Sequence, residues 1–182
     1  LNPDAIITAG TGGVVFVKQR SQLRLLTQAL ERMVPDLLLP DMNASLAVAQ
    51  VKELDRLLRS RREIAEVFRQ SLQRSRHGSL AQAGDRDAVP YSFPVLVRDS
   101  LKEIRQYALK KGVETKPAFS EAIIALEDAG ARAVEAFDGQ QPREESCPNA
   151  KTLLWRCLLF PLYPFLTKKD IQQISRVLST LP

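Results

Sequence analysis

Hydrophobic and polar positions change period several times along the chain. Ala5 to Ala9 and Val14 to Val17 are short apolar or β-branched runs separated by Gly10, Gly12 and Gly13. That pattern predicts two strands joined by a tight glycine turn. From Arg20 to Met33, Leu23, Leu26, Ala29, Leu30 and Met33 recur at helical spacing, and Pro35 ends the run. Residues 36–40 read as an apolar loop. Asp41 can then cap a helix that meets no Gly or Pro until past Arg76. Ala47, Val51, Leu54, Leu58, Ala65, Phe68 and Leu72 form its seam, interrupted by Arg61. A helix of about 35 residues would be about 50 Å long, enough to link two lobes or to pack against a partner.

The second half alternates. Residues 78–90 are a polar connector, and Tyr91 to Val97 reads as a strand whose Pro94 favours an edge or a bulge. Ser100 can cap a helix through Lys111, ended by Gly112. Val113 to Ala118 reads as a second strand, followed by a helical stretch from Ser120 to about Asp128 and a weakly patterned loop from Ala129 to Ser146. Pro148 suits the first turn of a helix to about Arg156. Leu158 to Tyr163 is a third strand. Thr167 with Asp170 makes a capping-box start for a last helix that carries Ile171, Ile174, Val177, Leu178 and Leu181 on one face. The order implies an α+β fold, a small antiparallel or mixed sheet with helices on one face plus one long linking helix.

Composition narrows the chemistry more than the fold. The chain has 182 residues, 45% hydrophobic and 26% charged, which is ordinary globular material. No run is long and apolar enough for a membrane span, and the start lacks the basic region of a secretory signal, so a cytoplasmic protein is expected. Two cysteines and one histidine cannot build a zinc cluster, and Cys147 and Cys157 are expected as free thiols. His77, at the expected helix end beside Gly78, suits the helix dipole better than catalysis. The net charge of +5 permits an acidic partner. From Lys52 to His77 there are eight Lys or Arg against four Asp or Glu. The two signs alternate and the aromatic interleaving of a base-stacking surface is absent, so a solvated helix face is favoured over a nucleic-acid surface. An anion-binding adaptor that uses this helix is a weaker reading. The glycine turn lacks the Lys-Ser/Thr of a phosphate loop and reads as a plain turn. Trp155, Phe160, Tyr163 and Phe165 fit a core or an interface, and Cys157 a packed thiol.

Five segments, in order, resemble the DegT/DnrJ/StrS family of sugar aminotransferases, pyridoxal-phosphate enzymes of fold type I. Thr8-Ala9-Gly10-Thr11-Gly12-Gly13 is similar to the family's Thr-Thr-Gly-Glu-Gly-Gly turn. Asp41 to Val51 resembles the start of its long helix, and Arg61-Arg62-Glu63-Ile64-Ala65 a later stretch of that helix. Cys147-Pro148-Asn149-Ala150 is similar to its Phe-Pro-Asn-Ala, and Phe160-Pro161-Leu162-Tyr163-Pro164 to its Leu-Pro-Leu-Tyr-Pro. The resemblance implies the C-terminal part of the aspartate aminotransferase fold. Residues 1–40 would be a remnant of the large domain, 41–77 the long linking helix, and 78–182 the α+β small domain. It also implies homodimers that move an amino group from glutamate to nucleotide-linked keto-sugars in polysaccharide or antibiotic-sugar pathways.

The departures bear on activity. The family's Schiff-base lysine stands five residues before the first glycine of the turn, where this chain has Ala5. A methyl group cannot form the imine that a primary amine forms. Where the family has Asn-Tyr-Arg reaching the cofactor phosphate, this chain has Asp36-Leu37-Leu38; a carboxylate repels phosphate and leucine donates no hydrogen bond. The large-domain residues that hold the ring and phosphate lie upstream of the matched region. The resulting expectation is a non-catalytic module with no catalytic residue and no metal. It would bind no pyridoxal phosphate and would self-associate through the long helix and the N-terminal hairpin. The rival is the C-terminal portion of a working sugar transaminase, completed by a missing large domain or a separate large-domain subunit.

Overall fold

The computed structural model describes residues 1, 5–10, 12–32, 38–80, 89, 91–120, 122 and 148–182. The chain divides into two compact units, Leu1–Leu58 and Arg59–Pro182.

The first unit holds helix α1 (Arg20–Glu31), helix α2 (Asp41–Lys52) and the start of helix α3 (Leu54–Leu72). The expected N-terminal hairpin is not formed: the described residues between Ala5 and Val17 belong to no strand. The reason lies in pairing. A two-stranded ribbon is marginal in water, and the backbone N–H and C=O of Thr8 are both taken by the side chain of Gln50 on α2. The single helix expected over 41–76 is also corrected. It is interrupted at Glu53, whose N–H bonds to Gln50 O in a tightened turn, and it ends at Leu72. Asp41 is not the cap but the first helical residue, after Pro40. Its carboxylate still favours the helix N-terminus. The apolar stripe of α1 is real in sequence, yet no residue of that helix is buried.

Among its described residues the second unit carries a four-stranded antiparallel sheet in the order β1-β2-β4-β3. Its strands are β1 (Gly78–Ser79), β2 (Phe93–Leu96), β3 (Lys116–Pro117) and β4 (Cys157–Phe160). Helices α4 (Leu101–Lys110), α5 (Pro148–Arg156) and α6 (Lys168–Ser179) follow the expected spans closely. Ser100 precedes α4 without making a side-chain cap bond. Gly112 ends it at φ +76°, where a Cβ would also lie 2.8 Å from Gln173 Nε2. β2 is not an edge strand. Pro94 is tolerated because β1 reaches only Val95 and Leu96, leaving Pro94 beyond that ladder. The second strand shrinks to two residues. The expected helix at 120–128 and the loop at 129–146 lie outside the described residues, apart from Ser120 and Ala122.

Period-two alternation sets the core. Phe93 faces Phe160 and Val95 faces Leu158 across the central ladder, and all four side chains are buried on one face. Against them pack Ile64, Ala65, Phe68 and Leu72 of α3, Ile104 and Ala108 of α4, and Ile174, Val177 and Leu178 of α6. Of the expected seam, Ala47 on α2 and Ala65, Phe68 and Leu72 on α3 are buried, Leu54 and Leu58 are half-buried and Val51 on α2 is exposed, while Leu57, Arg61 and Ile64 join the buried stripe.

The capping box at Thr167 is present. Asp170 N–H donates to Thr167 Oγ1 (3.2 Å) and Thr167 N–H to Asp170 Oδ2 (3.0 Å). The Thr167 hydroxyl first, and its N–H second, hold the Asp170 carboxyl below its ordinary value of 3.8. Replacing Thr167 with alanine is expected to cost about 1 kcal/mol. A carboxyl with a depressed folded pKa stabilises above its unfolded value, and that contribution is lost as pH falls through the folded one. Thermal unfolding at pH 7 and pH 2.5 (about the lower end of the carboxylate range) should therefore show Asp170→Asn trailing wild type at the higher pH and converging on it at the lower.

Candidate functional site

In the first unit, the segment that carries Ala5 and the glycine turn is laid on α2. Gln50 accepts from Thr8 N–H (3.0 Å) and donates to Thr8 O (2.7 Å), supplying both bonds that a neighbouring strand would give. Asn43 donates through Nδ2 to Ala9 O. Gly10 and Gly12 have φ of +89° and +114°, and a Cβ on Gly12 would meet Leu39 at 3.0 Å, so the turn requires glycine at both places. Ala5 is half-buried and offers a methyl group. The described basic side chains of this unit, Lys18 among them, are solvent-exposed. Leu38 is exposed and Asp36 lies outside the described residues. The described residues therefore do not fit pyridoxal phosphate at this turn. No amine stands at Ala5, and the amides of Asn43 and Gln50 already serve the backbone.

In the second unit, a cleft of about 350 Å³ opens beside the sheet. Pro94, Leu159 and Cys157 form part of its wall, with Arg69, Tyr91 and Phe119 around them. Cys157 is fully buried, and burial pushes its thiol up. A protonated, inaccessible thiol is a poor nucleophile, which agrees with the packed role read from sequence. Arg69 is paired with Glu66 on its own helix. No group of three potential metal ligands occurs among the described residues, and no helix there is long and apolar enough to cross a membrane.

Two residues depart from their sequence reading. His77 is buried. Its Nδ1 accepts from Arg98 N–H (3.2 Å), which leaves the proton on Nε2 to donate to Pro182 O (2.8 Å). The ring staples three segments rather than serving the dipole of α3. Arg61, read as an interruption of the apolar seam, is 6% exposed and donates from Nη1 to Tyr91 O (2.9 Å) and Leu162 O (2.6 Å). Desolvation lowers its pKa, with Tyr91 opposing. The signal was present in the sequence: Arg61 stands four residues before Ala65 and seven before Phe68, on the core-facing stripe. Asn43 and Gln50 carried no such signal, because a polar residue on a helix does not announce a backbone acceptor. Of the four aromatics, only Phe160 is in the core; Trp155, Tyr163 and Phe165 are exposed.

Comparison with known proteins places this arrangement. The model of the DegT/DnrJ/EryC1/StrS aminotransferase family matches residues 3–179. Among solved structures, the sugar aminotransferase CalS13 from Micromonospora echinospora is 18% identical with a TM-score of 0.61, over 79% of this chain and 36% of that one. A putative sugar aminotransferase, Spr1654 from Streptococcus pneumoniae in its PLP form, is 21% identical with a TM-score of 0.61 over the same shares. The aminotransferase TlmJ from Streptoalloteichus hindustanus is 21% identical with a TM-score of 0.58, over 76% of this chain and 35% of that one. These likenesses show the fold. The chain spans about a third of the length of the structures it matches. No curated protein gives a significant match.

Proposed function

Because the chain belongs to the DegT/DnrJ/EryC1/StrS aminotransferase family, we propose that it is a non-catalytic, aminotransferase-like module that has kept the scaffold and lost the cofactor chemistry. The observation that carries this reading is Ala5. It stands five residues before Gly10, on a segment still pinned to α2 by Gln50 and Asn43, and it has no amine. Side chains of α2 hold the turn in place while the group that would react is missing. Asp36 and Leu38, in place of phosphate-binding polar residues, support the same conclusion. In this reading residues 1–40 are a remnant of a large domain, 41–77 link it, and 78–182 are the small domain. The module works in the cytoplasm and associates with a second copy or with a separate large-domain subunit. The apolar side chains that the first unit leaves in solvent, Phe16 and Met42 most of all, favour association.

The test is incubation of the chain with pyridoxal phosphate, followed by absorbance in the Schiff-base band and borohydride reduction. The expected result is no stable lysine-linked adduct. A single reduced adduct mapped to one lysine, or transamination by the purified chain, would overturn the reading. A second reading, the C-terminal portion of a sugar transaminase completed by a large domain, is favoured by one fact: the chain spans only about a third of the solved aminotransferases. Under it, adding a large-domain polypeptide produces a lysine adduct on that polypeptide and activity in the mixture.

A further inference from the structure

The central ladder of the second unit stops where its register does not. Phe93 opposite Phe160 is the last pair of β2 with β4. Continued by one step, the register sets Ser92 opposite Pro161, which has no N–H to donate. Continued by two, it sets Tyr91 opposite Leu162. Those two carbonyl oxygens are the pair that Arg61 Nη1 reaches, at 2.9 and 2.6 Å. One nitrogen with two hydrogens thus occupies the place where cross-strand bonding would resume. Its neighbour Ser60 donates to Pro164 O at 3.4 Å, which holds the same segment on α3. Arg61 Nε has no hydrogen-bond partner among the described residues. The cation is thus held in the interior by two main-chain oxygens, a costly placement for a residue that served only to fill space.

We propose that Arg61 is a cross-strand bridge that closes the open end of the β2–β4 ladder and so positions Tyr91 at the mouth of the cleft. Tyr91 belongs both to the bridge, through its carbonyl, and to the cleft wall. The bridge therefore sets the shape of the opening without itself lining it. The inference is independent of whether the family chemistry survives, because all of its residues lie in the second unit.

Native-state amide exchange on the full chain tests it, comparing wild type with Arg61→Met, which keeps the bulk and removes the donors. Amides of Phe93, Phe160 and Leu166, which are hydrogen-bonded beside the bridge, are the reporters; those of Val95, Leu158, Ile104 and Val177 are the controls. The expected result is exchange about tenfold or more faster at the reporters, with the controls little changed, since local opening and global unfolding are separable. An equal acceleration at both sets would make Arg61 a general core stabiliser, and no acceleration at the reporters would remove the bridge; either overturns the proposal. Arg61→Lys keeps a cation with several donors and gives a reading even if the methionine variant does not fold. Its exchange should rise at the reporters only and by less. Equal change at both sets, or none, counts against the bridge there too.

Discussion

Replacing Phe68 with alanine should lower the unfolding free energy of the second unit by about 3–5 kcal/mol, the range for truncating a buried phenylalanine. Phe68 is fully buried on α3 and meets the Phe93 ring edge-on, with centroids 5.5 Å apart and planes at 75°. The loss therefore has two parts. The transferred apolar surface is one, and the cavity left against Phe93 and the sheet is the other, because neither the strand nor the helix is free to collapse into it. Edge-to-face pairing contributes about 0.5–1.5 kcal/mol within that figure. Urea titration of the transition that releases the sheet measures the total. The control is Phe165→Ala. The same side chain is 71% exposed there, so the change should stay within about 0.5 kcal/mol. A Phe68 variant as stable as the Phe165 one would mean that the core has been placed wrongly.

The second large effect concerns Cys157. In a Cys147→Ser background, which leaves one thiol, a disulfide reagent should label Cys157 about a thousandfold more slowly in buffer than in denaturing urea. Two causes act together. The sulfur is buried in β4, so reagent waits for an opening whose free energy approaches that of global unfolding, several kcal/mol. Burial also pushes the thiol up, so less thiolate is present at a given pH than for a free cysteine. Fast labelling in buffer would show that the cleft beside Cys157 admits small molecules to the sulfur, and would contradict the packed role.

What could be read from sequence was whatever is decided within a few residues. Pro148 opens α5, Gly112 closes α4, and the Thr167–Asp170 box starts α6, because capping geometry is set by the residues that make it. The apolar stripe of α6 likewise placed Ile174, Val177 and Leu178 in the core. What failed depended on distant partners. Residues 5–17 have strand composition, but a strand exists only where another backbone pairs with it, and here an amide from α2 takes that place. The break at Glu53 has no Gly or Pro to mark it. Arg61 was legible as a break in the apolar seam but not as a bridge, because its two acceptors come from segments 30 and 101 residues away, which no local pattern displays. Of the candidate site, the substitution at Ala5 was plain from the letters alone, whereas the side chains that hold its segment were not.

The strand order of the second unit has a consequence for how the molecule is made. β2 finds its principal neighbour, β4, only after 60 intervening residues, and α6 completes the same apolar layer later still. While the ribosome is still translating residues 97–156, Phe93 and Val95 have only the two-residue β1 on one side and lack the strand that covers the other. Sheets closed by such long-range pairings form slowly and are exposed to aggregation in the meantime. A nascent chain halted before residue 157 would lack Leu158 and Phe160 opposite Val95 and Phe93, and would leave that face of the core open to chaperones.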